Sequence, residues 1–235
     1  VSASGNLPKL PAERTGPRQR VLDAARALFN DRAPAQVTTA EIAEAAGMAE
    51  GNLHYHFRRK ADLLTALYDA YEAEVAAISG RDFGPPDAAI TAYAEHQRDW
   101  FRLMWTHRWF YRDTAALFAI APDLRARVRT GTLHVRQAVG AVFAGMIAAG
   151  LLRATPTEAE RLLDNVWIVS THWIDYLHLT TGRADLRADD FEWGYGQVFA
   201  LYAPFLTPKG RAMVRRYMAR PPEHAPDATG LSRGA

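Results

Sequence analysis

Apolar residues recur every three to four positions along almost the whole chain, and no strand pattern stands out. That spacing predicts helices throughout. From Pro17, the residues Val21, Ala24, Ala25 and Leu28 follow an i, i+3, i+4, i+7 rhythm, widened by Leu22 and Phe29. Pro34 predicts that this first helix ends near residues 31–33. Thr38-Thr-Ala-Glu41 reads as a capping box, in which the hydroxyl accepts from the third backbone N–H and the carboxylate reaches back. It opens a short helix with Ile42, Ala45 and Ala46 turned inward, which Gly47 stops. A third short helix is predicted over Glu50–Phe57, with Leu53 and Phe57 on its buried face. A longer one follows over 61–78, striped by Leu63, Leu64, Leu67, Tyr71, Val75 and Ile78.

The run SGRDFGPPD, residues 79–87, breaks the pattern. Beyond it the spacing predicts helices over 87–106, 108–119, and from Pro122 at a first helical position to Gly150. Thr155-Pro-Thr-Glu158 is a second capping box, opening a helix to about residue 181. A further helix covers 189–206, bent or ended at Pro204, and a basic one runs from Thr207-Pro208 to about Ala219. The expected fold is all-α: a three-helix head over 17–62 and a larger helical bundle over 63–219, with 1–16 and 220–235 disordered. There is no internal repeat.

Composition narrows the class. With 235 residues, 49% hydrophobic and 23% charged, the chain has the make-up of a globular protein with a sizeable core. The absence of cysteine excludes disulfides, thiolate catalysis and cysteine–zinc sites, and fits a reducing compartment. No uncharged apolar run approaches membrane length, and the N-terminus lacks the apolar middle of a secretory signal, so a cytoplasmic protein is expected. The chain does not begin with Met, so its natural start is expected to be missing or processed. The net charge of +2 hides a gradient: residues 1–60 carry nine Lys/Arg against six Asp/Glu, and the remainder sums to −1. A basic end suggests a polyanionic partner there.

The chemistry concentrates in TTAEIAEAAGMAEGNLHYHFRRKADL, residues 38–63. Two short helices joined by a tight turn containing Gly form the helix-turn-helix arrangement, whose second helix presents its first residues to the major groove. Here that helix would be EGNLHYHF. Gly51 permits close approach to DNA, Asn52 can pair with adenine or meet a phosphate, and His54, Tyr55 and His56 are donors for phosphate oxygens. Arg58, Arg59 and Lys60 stand where the next helix begins, so cations and backbone N–H groups converge on the same phosphates. A solvated basic turn beside a packed aromatic is the plainer reading of the same residues. Arg14, Arg18 and Arg20 before or within the first helix either add backbone contacts or only solubilise the leader.

These residues resemble the DNA-binding domain of the TetR/AcrR family of bacterial transcriptional regulators. The resemblance is carried by ARALF (25–29), TTAEIAEAAGM (38–48), GNLHYHF (51–57) and the K-x-x-L of 60–63. It implies that Thr38 and Thr39 hold phosphate at the second helix, and Lys60 at the start of the fourth. His54 departs from the Tyr usual in the family, and Glu50 stands where several relatives carry a neutral or basic residue. An acid there either accepts from a cytosine amino group or repels phosphate.

In the larger half, HQRDWFRLMWTHRWFYRD, residues 96–113, gathers Trp100, Phe101, Met104, Trp105, Trp109, Phe110 and Tyr111. Core packing explains such a cluster. The sharper reading is an apolar effector cavity lined by Trp100, Met104, Trp105, Trp109 and Phe110, joined by Phe118, Phe143, Met146, Trp167, Trp173 and Tyr176, with His107 or His172 as a polar anchor. The resemblance favours that reading, and no cofactor is expected. His172, Asp175 and His178 lack an evident fourth ligand, and His54 and His56 point apart, so no metal site is expected. No nucleophile–base cluster or carboxylate pair suggests an enzyme.

Wide apolar faces mark 157–181 (Leu162, Leu163, Val166, Val169, Trp173, Ile174, Leu177) and 189–206 (Phe191, Tyr195, Val198, Phe199, Tyr202). Two such helices from each of two subunits would make a four-helix interface, and the resemblance implies a homodimer. The reading is a homodimeric regulator, a repressor rather than an activator, on a palindrome-like duplex operator and released by a small apolar or aromatic effector. Its rivals are the same fold without an effector, a small-molecule binder with a degenerate DNA head, and a helical enzyme.

Overall fold

A computed structural model of the chain describes residues 16–80, 89–183 and 188–218. The expected disordered ends, the leader arginine Arg14 and most of the break at 79–87 lie outside the described residues. Eleven helices follow in order: α1 (Pro17–Arg32), α2 (Thr39–Ala45), α3 (Glu50–His56), α4 (Lys60–Ser79), α5 (Ala89–Thr106), α6 (Arg108–Arg112), α7 (Thr114–Ile120), α8 (Leu124–Ala148), α9 (Pro156–Thr181), α10 (Ala188–Tyr202) and α11 (Pro208–Met218). Among the described residues there is no strand, only an isolated bridge between Leu152 and Leu206. None of the described helices is long and apolar enough to cross a membrane.

Both predicted capping boxes form: Thr38 accepts from the Glu41 N–H at 3.2 Å, and Thr155 from the Glu158 N–H at 3.3 Å. Gly47 ends α2 with φ of 66°, a conformation only glycine adopts without strain. The buried arc of α2 is Ile42, Ala43 and Ala46, while Ala45 is exposed. At 100° per residue, Ala46 falls between Ile42 and Ala43, whereas Ala45 lies a full step to one side. Leu53 and Phe57 are buried as the pattern predicts.

The helix expected over 108–119 is two helices. The Asp113 carboxylate accepts from the Ala116 N–H at 2.9 Å, an N-cap that restarts the chain as α7. Pro122 is not the first residue of α8. It sits in a turn before Leu124, and its carbonyl accepts from the Arg125 N–H at 3.1 Å. At the other end, α10 stops at Tyr202 and a 3-10 turn over Ala203–Phe205 carries Pro204.

Two buried clusters hold the helices together. The first joins α1–α3 to α4 and on to α5–α8, running from Val21, Phe29, Ile42 and Leu53 through Leu67 and Tyr71 to Trp109, Leu117 and Val135. The expected boundary at 62/63 falls in the first turn of α4, whose Leu63 and Leu64 belong to this shared core. The second cluster packs α5, α8, α9 and α10 around stacked rings: Trp173 lies flat on Trp105 (5.7 Å, 8° between planes) and on Phe101 (5.5 Å, 21°). At the α9–α10 crossing, Gly194 lets Trp173 approach, since a Cβ there would lie 2.6 Å from the indole.

Most apolar residues expected to face a partner are taken by this second core: Leu162, Leu163, Val166, Trp173, Ile174, Leu177, Phe191, Val198 and Tyr202 are buried within the chain. The large apolar residues left exposed on α9 and α10 are instead Ile168, Tyr176, Leu179 and Trp193. Ile168, Tyr176 and Leu179, at i, i+8 and i+11, share one helix face.

Candidate nucleic-acid interface and ligand cavity

The polar residues of α2 and α3 are tied largely to one another. The Thr38 N–H and hydroxyl both donate to Glu41 Oε2 (2.8 and 2.9 Å), and Arg32 Nη1 donates to Oε1 at 2.8 Å. The backbone hydrogen bond from Thr38, then Arg32 and the Thr38 hydroxyl, hold the Glu41 carboxyl down at about 2. Thr39 Oγ1 donates to Glu50 Oε1 at 2.7 Å, bridging α2 to α3, and His54 Nε2 lies 3.6 Å from the same oxygen. One turn along α3, Tyr55 stands fully out of the surface, 86% exposed, edge-on to His56. Gly51, Asn52 and Arg58 are exposed beside it.

Lys60 has a different setting from the one the resemblance implies. Its Nζ donates to the carbonyls of Pro34 (2.8 Å) and Val37 (2.6 Å), which places two of its three donors on the α1–α2 connection. Partial burial pushes its pKa below the usual lysine value. Arg59 pairs with Asp62 at 3.0 Å, and Arg18 lies 5.0 Å over the Phe57 ring. The exposed cation of the RRK run without a described side-chain partner is therefore Arg58.

A narrow cleft with about 30 Å3 of enclosed space lies between α5, α8 and α9. Of the residues expected to line it, Trp100, Met104 and Trp167 do, together with Val135, Val139, Val142, Leu163 and Val166, which the aromatic signal missed. Its polar lining is mostly engaged within the chain: Trp100 Nε1 donates to His96 Nε2 at 2.9 Å, Tyr202 donates to Gln97 at 2.8 Å, and Arg136 donates to Asp164 at 2.9 Å. The other expected residues lie elsewhere. Trp105, Phe143 and Trp173 pack in or against the second core, His107 and Phe110 are buried against Tyr71 of α4, and Trp109 is buried in the first core. Phe118 sits under Arg125, Met146 lies half-buried near the end of α8, and His172 and Tyr176 are exposed on α9. The i+4 aromatics of 96–113 thus divide between cavity and core according to which neighbour each helix face meets. No three His, Asp or Glu among the described residues are placed to hold a metal.

A joint that sequence reading missed links the two regions. Asn30, near the end of α1, donates to the Thr106 carbonyl (2.8 Å) and accepts from the Trp109 N–H (2.9 Å), splicing the turn between α5 and α6. Arg112 on α6 donates to the Asn30 and Asp31 carbonyls (2.8 and 2.9 Å), capping α1 at the end where helix carbonyls lack partners. Ala33 next to it has φ of 67° and ψ of 150°, which costs a non-glycine residue about 1–3 kcal/mol.

Comparison with known proteins agrees with this geometry. Residues 21–67 match the profile described as bacterial regulatory proteins of the tetR family, and 68–214 match one described as bacterial transcriptional repressor, TetR. The chain is similar to the HTH-type transcriptional regulator AcrR of Shigella flexneri, 33% identical over 67 residues, 28% of this chain and 31% of AcrR. It is also similar to the HTH-type transcriptional regulator TtgR of Pseudomonas putida, 42% identical over 53 residues, 23% of this chain and 25% of TtgR. The chain thus matches less than a third of either relative's length. Over the whole fold it is similar to a TetR-family transcriptional regulator from Marinobacter aquaeolei VT8, with TM-score 0.73 and 28% identity over 87% of this chain and 98% of that one. The fold alone is shared with AmtR of Mycobacterium smegmatis, at TM-score 0.52 and 22% identity over 91% and 100% of the two chains. A helix-turn-helix head on an all-helical body, matched along most of its length, marks a DNA-binding transcriptional regulator rather than an enzyme, and the chain belongs to the TetR family.

Proposed function

We propose that the protein is a repressor that binds a palindrome-like duplex operator as a homodimer and leaves it when a small apolar or aromatic effector enters the α5–α8–α9 cavity. Each subunit lays α3 in the major groove, with Gly51, Asn52, His54, Tyr55, His56 and Arg58 toward the DNA. Thr38, Thr39 and Lys60 hold α2 and the α1–α2 connection in place behind it. The second subunit covers Ile168, Tyr176, Leu179 and Trp193, the apolar residues that the chain's own core leaves exposed.

The observation that carries the effector response is the path from cavity to head. Trp100 and Met104 line the cavity from α5, and the last carbonyl of that helix, Thr106, is held by Asn30 of α1. An effector that shifts α5 therefore pulls directly on the helix packed behind α2 and α3. A coupling of about 1–3 kcal/mol suffices to weaken binding 5- to 150-fold.

The test is a duplex-release assay on the chain bound to DNA, with 1-anilinonaphthalene-8-sulfonate as the first apolar aromatic probe. Release by the probe, abolished by Met104→Trp filling the cavity and weakened by Asn30→Ala, is the expected result. Probe binding without any change in DNA affinity in either variant or parent would rule out the effector response. Sedimentation supplies the oligomer: a monomer at micromolar concentration, unchanged by Tyr176→Arg, would rule out the homodimer.

A further inference from the structure

We infer that Glu50 is a base-reading residue that fixes a C·G pair in each half-site, by accepting a hydrogen bond from the cytosine amino group. This rests on the placement of α3 in the major groove. Glu50 is the first residue of α3, and its side chain is nearly half exposed at 46%. Its carboxylate is not free to swing. Thr39, from the neighbouring helix, donates to Oε1 at 2.7 Å, and His54, one turn along α3, approaches the same oxygen at 3.6 Å. Both contacts fall on one oxygen, and Oε2 has no described partner. One oxygen of a partly exposed, anchored carboxylate is thus left to accept.

Placed between two rows of phosphates, a carboxylate is repelled unless something in the groove donates to it. It carries acceptors only. The major groove offers two donors, the N4 amino group of cytosine and the N6 amino group of adenine. On adenine that donor lies between two acceptors, its own N7 and the O4 of the paired thymine. On cytosine one flank is the C5–H and only the other, guanine O6, is an acceptor. A fixed carboxylate therefore meets less repulsion at C·G than at any other pair. Thr39 belongs to the same device: its one hydroxyl hydrogen is committed to Glu50, so it orients the reader instead of donating to a phosphate.

The alternative is that Thr39 and Glu50 merely clasp α2 to α3. Selection from a random duplex pool with the full chain, Glu50→Ala, Glu50→Gln and Thr39→Val separates the two, with melting curves to confirm that each variant folds. The parent should enrich a symmetric motif with an invariant C·G pair. Replacing that pair by T·A should weaken the parent about 5- to 150-fold. Glu50→Ala should lose preference at that pair alone. Glu50→Gln should move it toward A·T, because an amide pairs with adenine N6 and N7. Thr39→Val should keep the C·G preference in weakened form. Identical motifs for the parent, Glu50→Ala and Glu50→Gln, or a parent motif without a fixed C·G pair, would overturn the assignment while leaving the operator head intact. A parent that enriches no motif at all would overturn the operator reading, and this one with it.

Discussion

The head and the second core are both closed by buried apolar residues, and they differ in what surrounds that core. In α1–α3 a buried core of Val21, Phe29, Ile42 and Leu53 is overlaid at the surface by short polar ties: Thr38 to Glu41, Thr39 to Glu50, and Lys60 to two carbonyls. Around α9 and α10 polar ties such as Arg183–Asp190 and Tyr202–Gln97 accompany packed rings, with Trp105, Trp173, Phe101 and Phe191 in contact. A surface that must match a DNA groove needs fixed positions, which directional bonds supply. The stacked rings supply the bulk of the second core, beside the cavity and not around it.

Removing a ring should have the largest effect. Trp173→Ala takes away two stacked neighbours and leaves a cavity, and should cost about 3–5 kcal/mol in urea unfolding. A loss nearer ~1 kcal/mol would mean that the stack is not what holds α9 to α5. The polar ties of the head should each matter less. Lys60→Met leaves the Pro34 and Val37 carbonyls without their charged donor and should cost about 1–3 kcal/mol, measured without DNA. Unchanged stability together with lost DNA affinity would return Lys60 to the phosphate-binding role its family suggests.

The smallest effect concerns Glu41. Its folded pKa is depressed to about 2 from an ordinary 4.5, so its contribution is fully present above 4.5 and fades as pH falls toward 2. Glu41→Gln should flatten the loss of stability across that acid window and leave the behaviour above it parallel to the parent. A parent and variant with the same acid profile would show that the Thr38–Glu41–Arg32 tie is not felt by the fold.

This contrast also explains what could be read from the sequence. The head is local: a capping box spans four residues, Gly47 needs no distant partner, and α1–α4 end within a residue or two of their predicted bounds. Its misses are fine ones, such as Ala45 for Ala43. The Lys60 strut was invisible because its acceptors are main-chain carbonyls 23 and 26 residues earlier. In the body, composition announced a cluster of rings but not its neighbours. Trp100 and Trp105 lie five residues apart on α5, yet one lines the cavity and the other stacks on Trp173. The Asn30–Arg112 joint joins residues 82 apart, beyond the reach of any periodicity. The unpartnered face of α9 shows only as the few apolar residues left over after the core has taken the rest.

On the proposed function, the α2–α3 face recognises a particular duplex sequence. The most direct test of this is the affinity ratio between a duplex selected from a random pool and a scrambled copy, across salt from about 50 to 200 mM. Both affinities should fall with salt while a ratio of about 10³ or more persists, and Asn52→Ala should collapse the ratio. Equal affinity for the two duplexes at every salt concentration would contradict it.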